Sequence, residues 1–486
     1  MAVYPGSIEL PVTESLNLAP AGGWCRHPHK HRGSLFQDSV STSRVRYFSP
    51  PAEISSHSPP SSPACLADCE KLPEKDGRRF RSDRVKFIEY TMFRFLNGTI
   101  VLPDRLLPDG EVVTLDDRIQ HVGSADLRAP SGLAIIDLEG GYLLPGFVDL
   151  HVHGGSNADF MDCTEKAFRT VLAAHARHGT TSCTPTTTVA RHDQHLQFLQ
   201  IVRGLRNQHT GGAKVLGAHI YGPYFAAEAR GCHPAGTVRP PTPADYEPYL
   251  AFASEIRNAT VAPELPGAAE FVRACRAKGV RCNAGHSHAT FEQMEQAIGW
   301  GVTHVDHLFC AMSDRARLRQ SQTYPMRAGV MEATLYFDEL TTEVIADGQH
   351  LSAALLKLAY KVKGPDRLAL VTDAMRALDM PDGEYIFGPL DGGESVRKVN
   401  NVGVTLDGKS LASGVTGMDH AVRTFLSATG APLHEVVRMA SLTPAKIAGV
   451  DAEIGSIASG KRADLLVTDS ELNIRAVYID GRKLIH

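Results

Sequence analysis

Between about residues 145 and 450 the sequence alternates apolar runs rich in β-branched residues with stretches of helical periodicity. The candidate strands are GFVDLHVH, TTSCTPTTT, KVLGAHIY, NATVAPE, VRCNAGH, VTHVDHLF, EVIADG and LALVTDA. Continuous apolar strands separated by helices are typical of a parallel sheet wound by crossover connections. The repetition predicts an α/β fold, a closed (β/α)8 TIM barrel over residues 145–450.

Short alternating strands flank this segment on both sides. They are FRFLNGTIVL, DGEVVTLDDRIQHVG and LAIIDLEGGYLL before it, and KRADLLVTDSELNIRAVYIDGRKLI, with its Asp-Gly turn, after it. We expect residues 92–144 and 451–486 to form one small β-sandwich domain built from both chain ends. Residues 1–91 are rich in Pro, Ser, His and Arg without an apolar period, which predicts a disordered leader.

Composition narrows the class of partner. The formal net charge is -4, with 50 basic and 54 acidic residues interspersed, so no basic stripe is available for a nucleic acid. The nine cysteines have scattered spacings, and no apolar run reaches the length of about 18 residues that a membrane span needs. We therefore expect a cytoplasmic protein that acts on a small molecule, without a nucleic-acid or membrane partner.

Metal-binding residue types stand at the ends of several candidate strands. His151 and His153 alternate along the first strand and so share a face, while His286, His307 and Asp373 end the fifth, sixth and eighth strands. A barrel gathers these strand ends at one mouth. The pattern predicts a divalent metal ion, with zinc favoured by a histidine-rich set and iron or manganese left open. Asp373 suits a carrier of the proton between water and a leaving amine.

Each of these residue types also has a purely structural use. An isolated His-x-His pair commonly lies in a core or in solvent, and an Asp after a strand can cap the next helix. We expect His175, His178 and His304 to lie on helix surfaces or strand flanks. Glu264 suits a salt bridge or a helix cap at least as well as a catalytic role.

Longer motifs carry a family resemblance. PGFVDLHVHGG and the later VTDA resemble the amidohydrolase superfamily, and the segments AHIYGPYF, GCHPAG, VAPE, NAGHSHAT, THVDHLFCAM, IADGQH, SLASG and GSIASGKRADLLV resemble its N-acetylglucosamine-6-phosphate deacetylases. The match spans about residues 92–486. It implies metal-dependent hydrolysis of the acetamide of N-acetylglucosamine 6-phosphate to glucosamine 6-phosphate and acetate.

The resemblance also implies roles for individual residues. His286 and His307 match the family's metal-binding histidines, and Asp373 matches its catalytic aspartate. His350 matches a histidine that orients the acetamido carbonyl and helps to hold the developing oxyanion. The positions that match substrate contacts are Cys232, His233, Cys310, Ala311, Leu411, Ala412, Ser413 and Gly414.

The sugar phosphate requires a cationic partner. A guanidinium fork suits a phosphate dianion, and the resemblance favours Arg327, with Arg319 as a rival in the same stretch. The family often forms homodimers, so a homodimer is a further expectation from the resemblance.

Two positions depart from the family pattern. Tyr221 replaces a metal-ligating glutamate in the third-strand motif, and Cys310 replaces an asparagine. A neutral phenol is a poor ligand compared with a carboxylate. We therefore predict that the ion lies nearer His151 and His153. Glu228 is a nearby carboxylate that could replace the lost ligand, although the sequence does not place it.

Two other functions stay open on the sequence alone. An amidohydrolase could act on a different N-acyl or cyclic amide substrate, since the residues on the phosphate side differ from the family pattern. A barrel that has lost its metal could bind a sugar phosphate without catalysis. The retained His-x-His pair and Asp373 argue against the second of these functions.

Overall fold

The computed structural model describes residues 92–124, 133–314 and 324–484. The predicted leader, residues 1–91, lies outside these ranges, as does Arg319. No helix within the described ranges is long and apolar enough to cross a membrane.

The first described segment is built of short strands. These are β1 (Met92–Leu96), β2 (Thr99–Val101), β3 (Leu106–Leu107), β4 (Gly110–Leu115), β5 (Arg118–Ser124), β6 (Ala134–Asp137) and β7 (Tyr142–Pro145). Strands β5, β4, β1 and β6 form a four-stranded sheet in that order. This confirms the strand-rich character predicted for residues 92–144.

The strands of the central segment follow from residue 147 onward, and most of them are parallel. They are β8 (Phe147–Val152), β9 (Gly154–Gly155), β10 (Ala158–Asp159), β11 (Thr180–Pro185), β12 (Lys214–Val215), β13 (Ala218–Ile220), β14 (Ile256–Val261), β15 (Arg281–Ala284), β16 (Val302–Val305), β17 (Thr341–Ile345) and β18 (Leu368–Val371). Strands β13 to β18 form one parallel sheet in chain order, and β8, β11 and β12 form a second. Strands β9 and β10 pair separately as a short antiparallel ribbon.

Two parallel bridges connect these two sheets. Thr186, just after β11, pairs with His219 in β13, and Val152 at the end of β8 pairs with Ala374 just after β18. The strands thereby form a TIM-barrel-like domain, in which β8, β11 and β13 to β18 follow one another around the wall. Each of the eight runs that the sequence predicted as barrel strands overlaps one of these strands.

Helices cover the outside of the barrel. They are α1 (Glu165–Arg177), α2 (His192–Leu205), α3 (Pro243–Leu250), α4 (Ala268–Ala277), α5 (Phe291–Trp300), α6 (Val330–Tyr336), α7 (Ala353–Lys363), α8 (Met418–Thr429), α9 (Leu433–Ala440) and α10 (Leu442–Ala448). Helix α1 shows why they form where they do. The Thr164 side chain caps its N-terminus by accepting from the Ala167 amide, and Phe168, Val171 and Leu172 are buried in the core.

The chain after the barrel strands contributes to two further sheets. Strands β19 (Gly383–Phe387), β20 (Glu394–Val399) and β21 (Val402–Thr405) form an antiparallel sheet, and β22 (Leu465–Thr468), β23 (Ile474–Ile479) and β24 (Arg482–Lys483) close the chain. A six-stranded sheet has the order β24-β23-β22-β7-β2-β3. Strands from the two ends of the described chain therefore share one sheet.

A separate apolar cluster joins strands from both ends. Phe95 of β1 and Val112 of β4 belong to the same buried cluster as Leu143 of β7, Leu465 of β22 and Tyr478 of β23. At about 25 cal/mol per Å2 of buried apolar surface, such side chains each contribute on the order of 2 kcal/mol. The barrel has its own larger cluster between its wall and the helices.

His178 forms a partly buried pair of ionic contacts outside the barrel mouth. It lies at the end of α1, with Nε2 2.9 Å from Asp379 Oδ1 and Nδ1 2.9 Å from Asp419 Oδ1. Burial disfavours the charged ring, but the bonds to Asp379 and Asp419 together outweigh it and raise the His178 pKa to about 9. The expected position at a helix surface is confirmed, with a charged role that the sequence did not indicate.

Replacing His178 with Gln is therefore expected to cost more stability at low pH than at high pH. The folded-state pKa lies above the ordinary value of about 6.5, so the stabilisation is complete below that value and is lost as the pH rises through about 9. We expect a loss on the order of 1–2 kcal/mol at pH 6 and much less above pH 9.5, measured by denaturant unfolding.

The matched control is Arg177→Gln, because Arg177 also binds Asp379 and a guanidinium is always charged. Its cost is expected to be similar at both pH values. Equal costs for His178→Gln at pH 6 and pH 9.5 would contradict the ion-pair assignment.

Candidate metal centre and substrate cavity

A cavity of about 620 Å3 opens where the barrel strands end. Its lining includes His153, Tyr221, His286, His307, His350 and Asp373, together with Glu228, Arg230, Cys232, His233, Cys310, Ala311, Leu411 and Ser413. A larger cavity of about 810 Å3 is lined by Lys214, Arg462 and Asp480 and contains none of the predicted metal ligands. The chemistry therefore selects the smaller cavity as the candidate site, despite its size.

His151, His153 and Asp373 converge at the floor of this cavity. Asp373 Oδ1 lies 3.1 Å from His153 Nε2 and 3.5 Å from His151 Nε2. The three side chains are buried, and their nearest ligand atoms all lie within 4.8 Å of one another. His151 Nε2 is buried and has no hydrogen-bond partner in the part of the chain that the structure describes. This donor set fits a divalent ion.

The charges at the floor also favour a cation. Burial disfavours charge on His151, but Asp373 and Glu343 together outweigh burial and raise its pKa to about 9. Burial likewise acts to raise the pKa of Asp373, yet its interactions with His151 and His153 hold that pKa well below the usual range. Two ionised carboxylates thus flank one imidazole. In the metal-free chain a proton supplies the positive charge that they require.

His286 and His307 lie beside this group. Their ring centroids are 5.1 Å apart, and the His307 ring is 5.4 Å from that of His151. Burial, followed by the charge of His151, lowers the pKa of His307 to about 4, so its ring is neutral. Within the described ranges, neither residue belongs to a cluster of three ligand atoms as compact as that of His151, His153 and Asp373.

Tyr221 occupies the space between the histidines. Its Oη lies 2.5 Å from His307 Nε2. Burial and the charge of Asp373 raise the Tyr221 pKa well above its ordinary value, so the side chain stays a neutral phenol. Before His307 could bind an ion through Nε2, it would have to break this hydrogen bond.

Three site residues have strained backbone conformations. His286, His307 and Asp373 have φ angles of 47°, 23° and 47°, in the left-handed region that residues other than glycine seldom adopt. Each follows a barrel strand by two residues, where the chain turns away from the wall. Such strain costs on the order of 1–3 kcal/mol per residue and persists where the surroundings fix the conformation, which is common at functional sites.

His350 has a fixed orientation in the cavity wall. Its Nδ1 lies 2.7 Å from Asp347 Oδ2, and its own amide and that of Gln349 both donate to Asp347 Oδ1 at 2.9 Å. Burial opposes a charge on His350, but the bond to Asp347 outweighs it and raises the pKa. His350 therefore donates its Nδ1–H to Asp347, and the raised pKa favours the charged ring, in which Nε2 also carries an N–H.

Most, but not all, of the residues predicted to contact the substrate line this cavity. Cys232, His233, Cys310, Ala311, Leu411 and Ser413 line the cavity. Ala412 is buried next to it, and Gly414 lies so close to the β18 end that an added Cβ would meet the Thr372 carbonyl at 2.2 Å. Arg327 is exposed and lines a different depression, beside Thr290 and Phe291.

Two residues of the site were missed from the sequence, one beneath the cavity floor and one in its lining. Glu343, in β17, accepts from His151 Nδ1 at 2.6 Å, and Arg230 is the only Lys or Arg among the described residues that line the cavity. Arg230 Nη1 donates to the His233 carbonyl, which holds the guanidinium against the wall. A charged residue inside the apolar strand TTEVI was the available signal for Glu343. Arg230 carries no such pattern.

Glu264 and His175, for which the sequence favoured a structural role, form hydrogen bonds to segments that carry site residues. Glu264 accepts from the Ser287 hydroxyl at 2.7 Å and from the His288 amide, next to His286. His175 Nε2 lies 3.0 Å from the Gly154 carbonyl. The Glu264 contacts agree with the structural use that the sequence left open for it, whereas His175 is fully buried in α1, so its expected place on a helix surface is wrong.

Comparison with known proteins fits this geometry. Residues 142–484 match the amidohydrolase family. An N-acetylgalactosamine-6-phosphate deacetylase from Escherichia coli O157:H7 is 32% identical over 373 residues, which cover 76% of this chain and 95% of that protein. An N-acetylglucosamine-6-phosphate deacetylase from Lysinibacillus sphaericus is 30% identical over 381 residues, covering 78% and 92%. The chain belongs to the N-acetylglucosamine-6-phosphate deacetylase family of amidohydrolases.

A solved structure supports the same assignment. The N-acetylglucosamine-6-phosphate deacetylase from Pasteurella multocida superposes with a TM-score of 0.75 at 29% identity, covering 81% of this chain and 99% of that one. The family resemblance read from the sequence motifs is thus confirmed, and the chain is an enzyme of the amidohydrolase type. The family implies a divalent metal ion, for which His151, His153 and Asp373 offer a fitting donor set.

Replacing both His151 and His153 with Asn is expected to lower the content of bound divalent metal at least about ten-fold, because two of the three converging donors are lost. Metal per full-length chain, measured by mass spectrometry after dialysis, tests this. The matched control replaces the exposed His121 and His209 with Asn, which should leave the content unchanged. An unchanged metal content in the His151/His153 variant would rule out this ligand set.

Proposed function

We propose that this chain hydrolyses the acetamide of N-acetylglucosamine 6-phosphate to glucosamine 6-phosphate and acetate. The observation that carries the proposal is the convergence of Asp373 with His151 and His153 on the floor of a cavity that also contains His350 and Arg230. The relatives named above as deacetylases cover most of the chain and support the same substrate class.

The reaction assigns a task to each of these residues. His350, as the charged ring, donates its Nε2–H to the acetamido oxygen and stabilises the negative charge that grows there when water adds to the carbonyl carbon. Asp373, ionised before the reaction, takes a proton from that water and delivers it to the sugar nitrogen as the C–N bond breaks. Acetate and the free amine result, so one water molecule is consumed.

We propose that His151, His153 and Asp373 hold the divalent ion, with His286 and His307 able to complete its coordination. When bound, such an ion lowers the pKa of water and polarises a carbonyl oxygen. The histidine-rich donor set favours zinc, with iron and manganese as alternatives. Tyr221, held by His307, stays outside the ligand set in this proposal.

The phosphate is proposed to bind Arg230 in preference to the sequence-based candidate Arg327. Arg230 lines the same cavity as His286 and Asp373, whereas Arg327 lines a separate depression. The loop of Arg230 is tied to the site, because the neighbouring Ala229 carbonyl lies 2.6 Å from His286 Nδ1. Cys232, His233, Cys310, Ala311 and the segment 411–414 would contact the sugar.

The proposal also includes the domain organisation, the oligomeric state and the cellular location expected from the sequence. Residues 92–144 and 451–486 would form one β-sandwich domain beside a barrel of residues 145–450, which the apolar cluster shared by both ends supports. A homodimer follows from the family resemblance. A cytoplasmic location is supported by the free thiols of the described ranges, which are Cys163, Cys183, Cys232, Cys275, Cys282 and Cys310.

A specific observation favours the galacto epimer as a second candidate substrate. The relative that is 32% identical is named for N-acetylgalactosamine 6-phosphate. The two sugars differ only at C4, so the same acetamide chemistry would serve both. A direct comparison of the two substrates separates these possibilities.

The proposal is tested by measuring acetate release by the zinc-loaded full-length chain from both phosphorylated sugars and from unphosphorylated N-acetylglucosamine. We expect turnover of N-acetylglucosamine 6-phosphate and a loss of at least about 100-fold in kcat for Asp373→Asn, because the amide cannot carry the proton. Faster turnover of the galacto epimer would replace the substrate. Bound metal without acetate from any of the three would point to another amide, and absence of both would point to a non-catalytic barrel.

Replacing Arg230 with Ala is expected to raise KM for the phosphorylated substrate by about 10- to 100-fold with little change in kcat, because a charge-assisted contact made equally in ground and transition states is lost. Turnover of the unphosphorylated sugar should not change. Arg327→Ala is the matched control, with KM expected at the wild-type value. A raised KM in Arg327→Ala but not in Arg230→Ala would show that Arg327 binds the phosphate.

A further inference from the structure

Glu343 lies beneath the floor of the cavity, on the side of His151 that faces away from Asp373. It belongs to β17, and its side chain is 1% exposed. Its Oε1 lies 2.6 Å from His151 Nδ1, and its Oε2 lies 3.2 Å from His304 Nε2. Both carboxylate oxygens therefore contact imidazoles. The proposed hydrolysis of the acetamide assigns no role to Glu343.

The contact fixes which nitrogen of His151 points into the site. A carboxylate only accepts hydrogen bonds, so His151 donates its Nδ1–H to Glu343. The opposite nitrogen, Nε2, lies 3.5 Å from Asp373 Oδ1 and has no hydrogen-bond partner among the described residues. When an ion replaces the second ring proton, the Nε2 lone pair faces the side where His153 and Asp373 converge.

A second buried carboxylate nearby does not have this geometry. Asp306 accepts from Asn283 Nδ2 at 2.7 Å and from the Thr260 hydroxyl at 2.6 Å. It lies within 4.8 Å of His151 and Glu343, but its two oxygens are bound to neutral donors and not to the ring. The two carboxylates therefore share burial and charge and differ in their contact with His151.

We propose that Glu343 is a positioning residue of the metal centre, which holds His151 in the Nδ1–H tautomer and turns its Nε2 toward the ion. The inference rests on the metal site of the proposed function. A carboxylate on the outer nitrogen of a ligating histidine fixes its ring and strengthens it as a ligand, and losing such a partner typically costs about 10- to 100-fold in metal affinity.

The test measures zinc affinity of full-length variants by competition with a chromophoric chelator, without substrate. Glu343→Gln is expected to weaken zinc binding by about 10- to 100-fold, and Glu343→Asp, which keeps the charge, to recover part of that loss. Asp306→Asn is the matched control and should stay within about three-fold of the wild type. Wild-type affinity in a folded Glu343→Gln variant, or an equal loss in Asp306→Asn, overturns the proposal.

A measurement on the wild type keeps the proposal testable if Glu343→Gln does not fold. Nitrogen-15 NMR of histidine-labelled, zinc-loaded chain should show His151 as the Nδ1–H tautomer, with its signal assigned by its absence from His151→Asn. An Nε2–H tautomer would refute the positioning role. Failure of the wild type to release acetate would not affect either readout, whereas failure to bind zinc would refute the metal site on which the inference rests.

Discussion

The site depends on one buried imidazole held between two carboxylates. His151 lies 2.6 Å from Glu343 on one side and 3.5 Å from Asp373 on the other, and all three side chains are buried. Isolated buried charges cost several kcal/mol, so the two carboxylates can be tolerated here only with a compensating positive charge. A proton on His151 meets that requirement in the metal-free chain, and a divalent ion would meet it more fully. The residues of the barrel floor therefore require a positive charge whether or not a substrate is bound.

The barrel supplies the rigidity that this arrangement needs. Val152 pairs with Ala374 across the seam between β8 and β18, and the Asp373 amide donates to the His151 carbonyl at 2.9 Å. Backbone hydrogen bonds therefore fix the separation of the first and last metal-binding segments. The Asp373 carbonyl also accepts from the Gly414 amide at 2.8 Å, so backbone hydrogen bonds on both sides hold this residue in its strained φ.

The sequence predicted the elements whose signals are periodic or local. Apolar runs predicted the barrel strands, and the polar residues at their ends predicted the group of His151, His153 and Asp373, because the carboxyl ends of parallel barrel strands meet at one mouth. Contacts between distant segments gave no such signal. Neither the approach of Glu343 to His151 nor the entry of Arg230 into the cavity follows from spacing, since both depend on how side chains pack across neighbouring strands and loops. The roles assigned to the individual site residues stay predictions.

Tyr221 shows how the site tolerates a ligand position that lacks a carboxylate. A phenol held neutral by burial brings no negative charge to β13, and its bond to His307 engages the nitrogen that would face an ion there. The anionic partners lie elsewhere, on β17 through Glu343 and after β18 through Asp373. Both reach the ring of His151, so the negative charge is concentrated around the His-x-His pair and not around His286 and His307. This distribution of charge would draw a cation toward His151 and His153, where the sequence analysis and the proposed function place the ion.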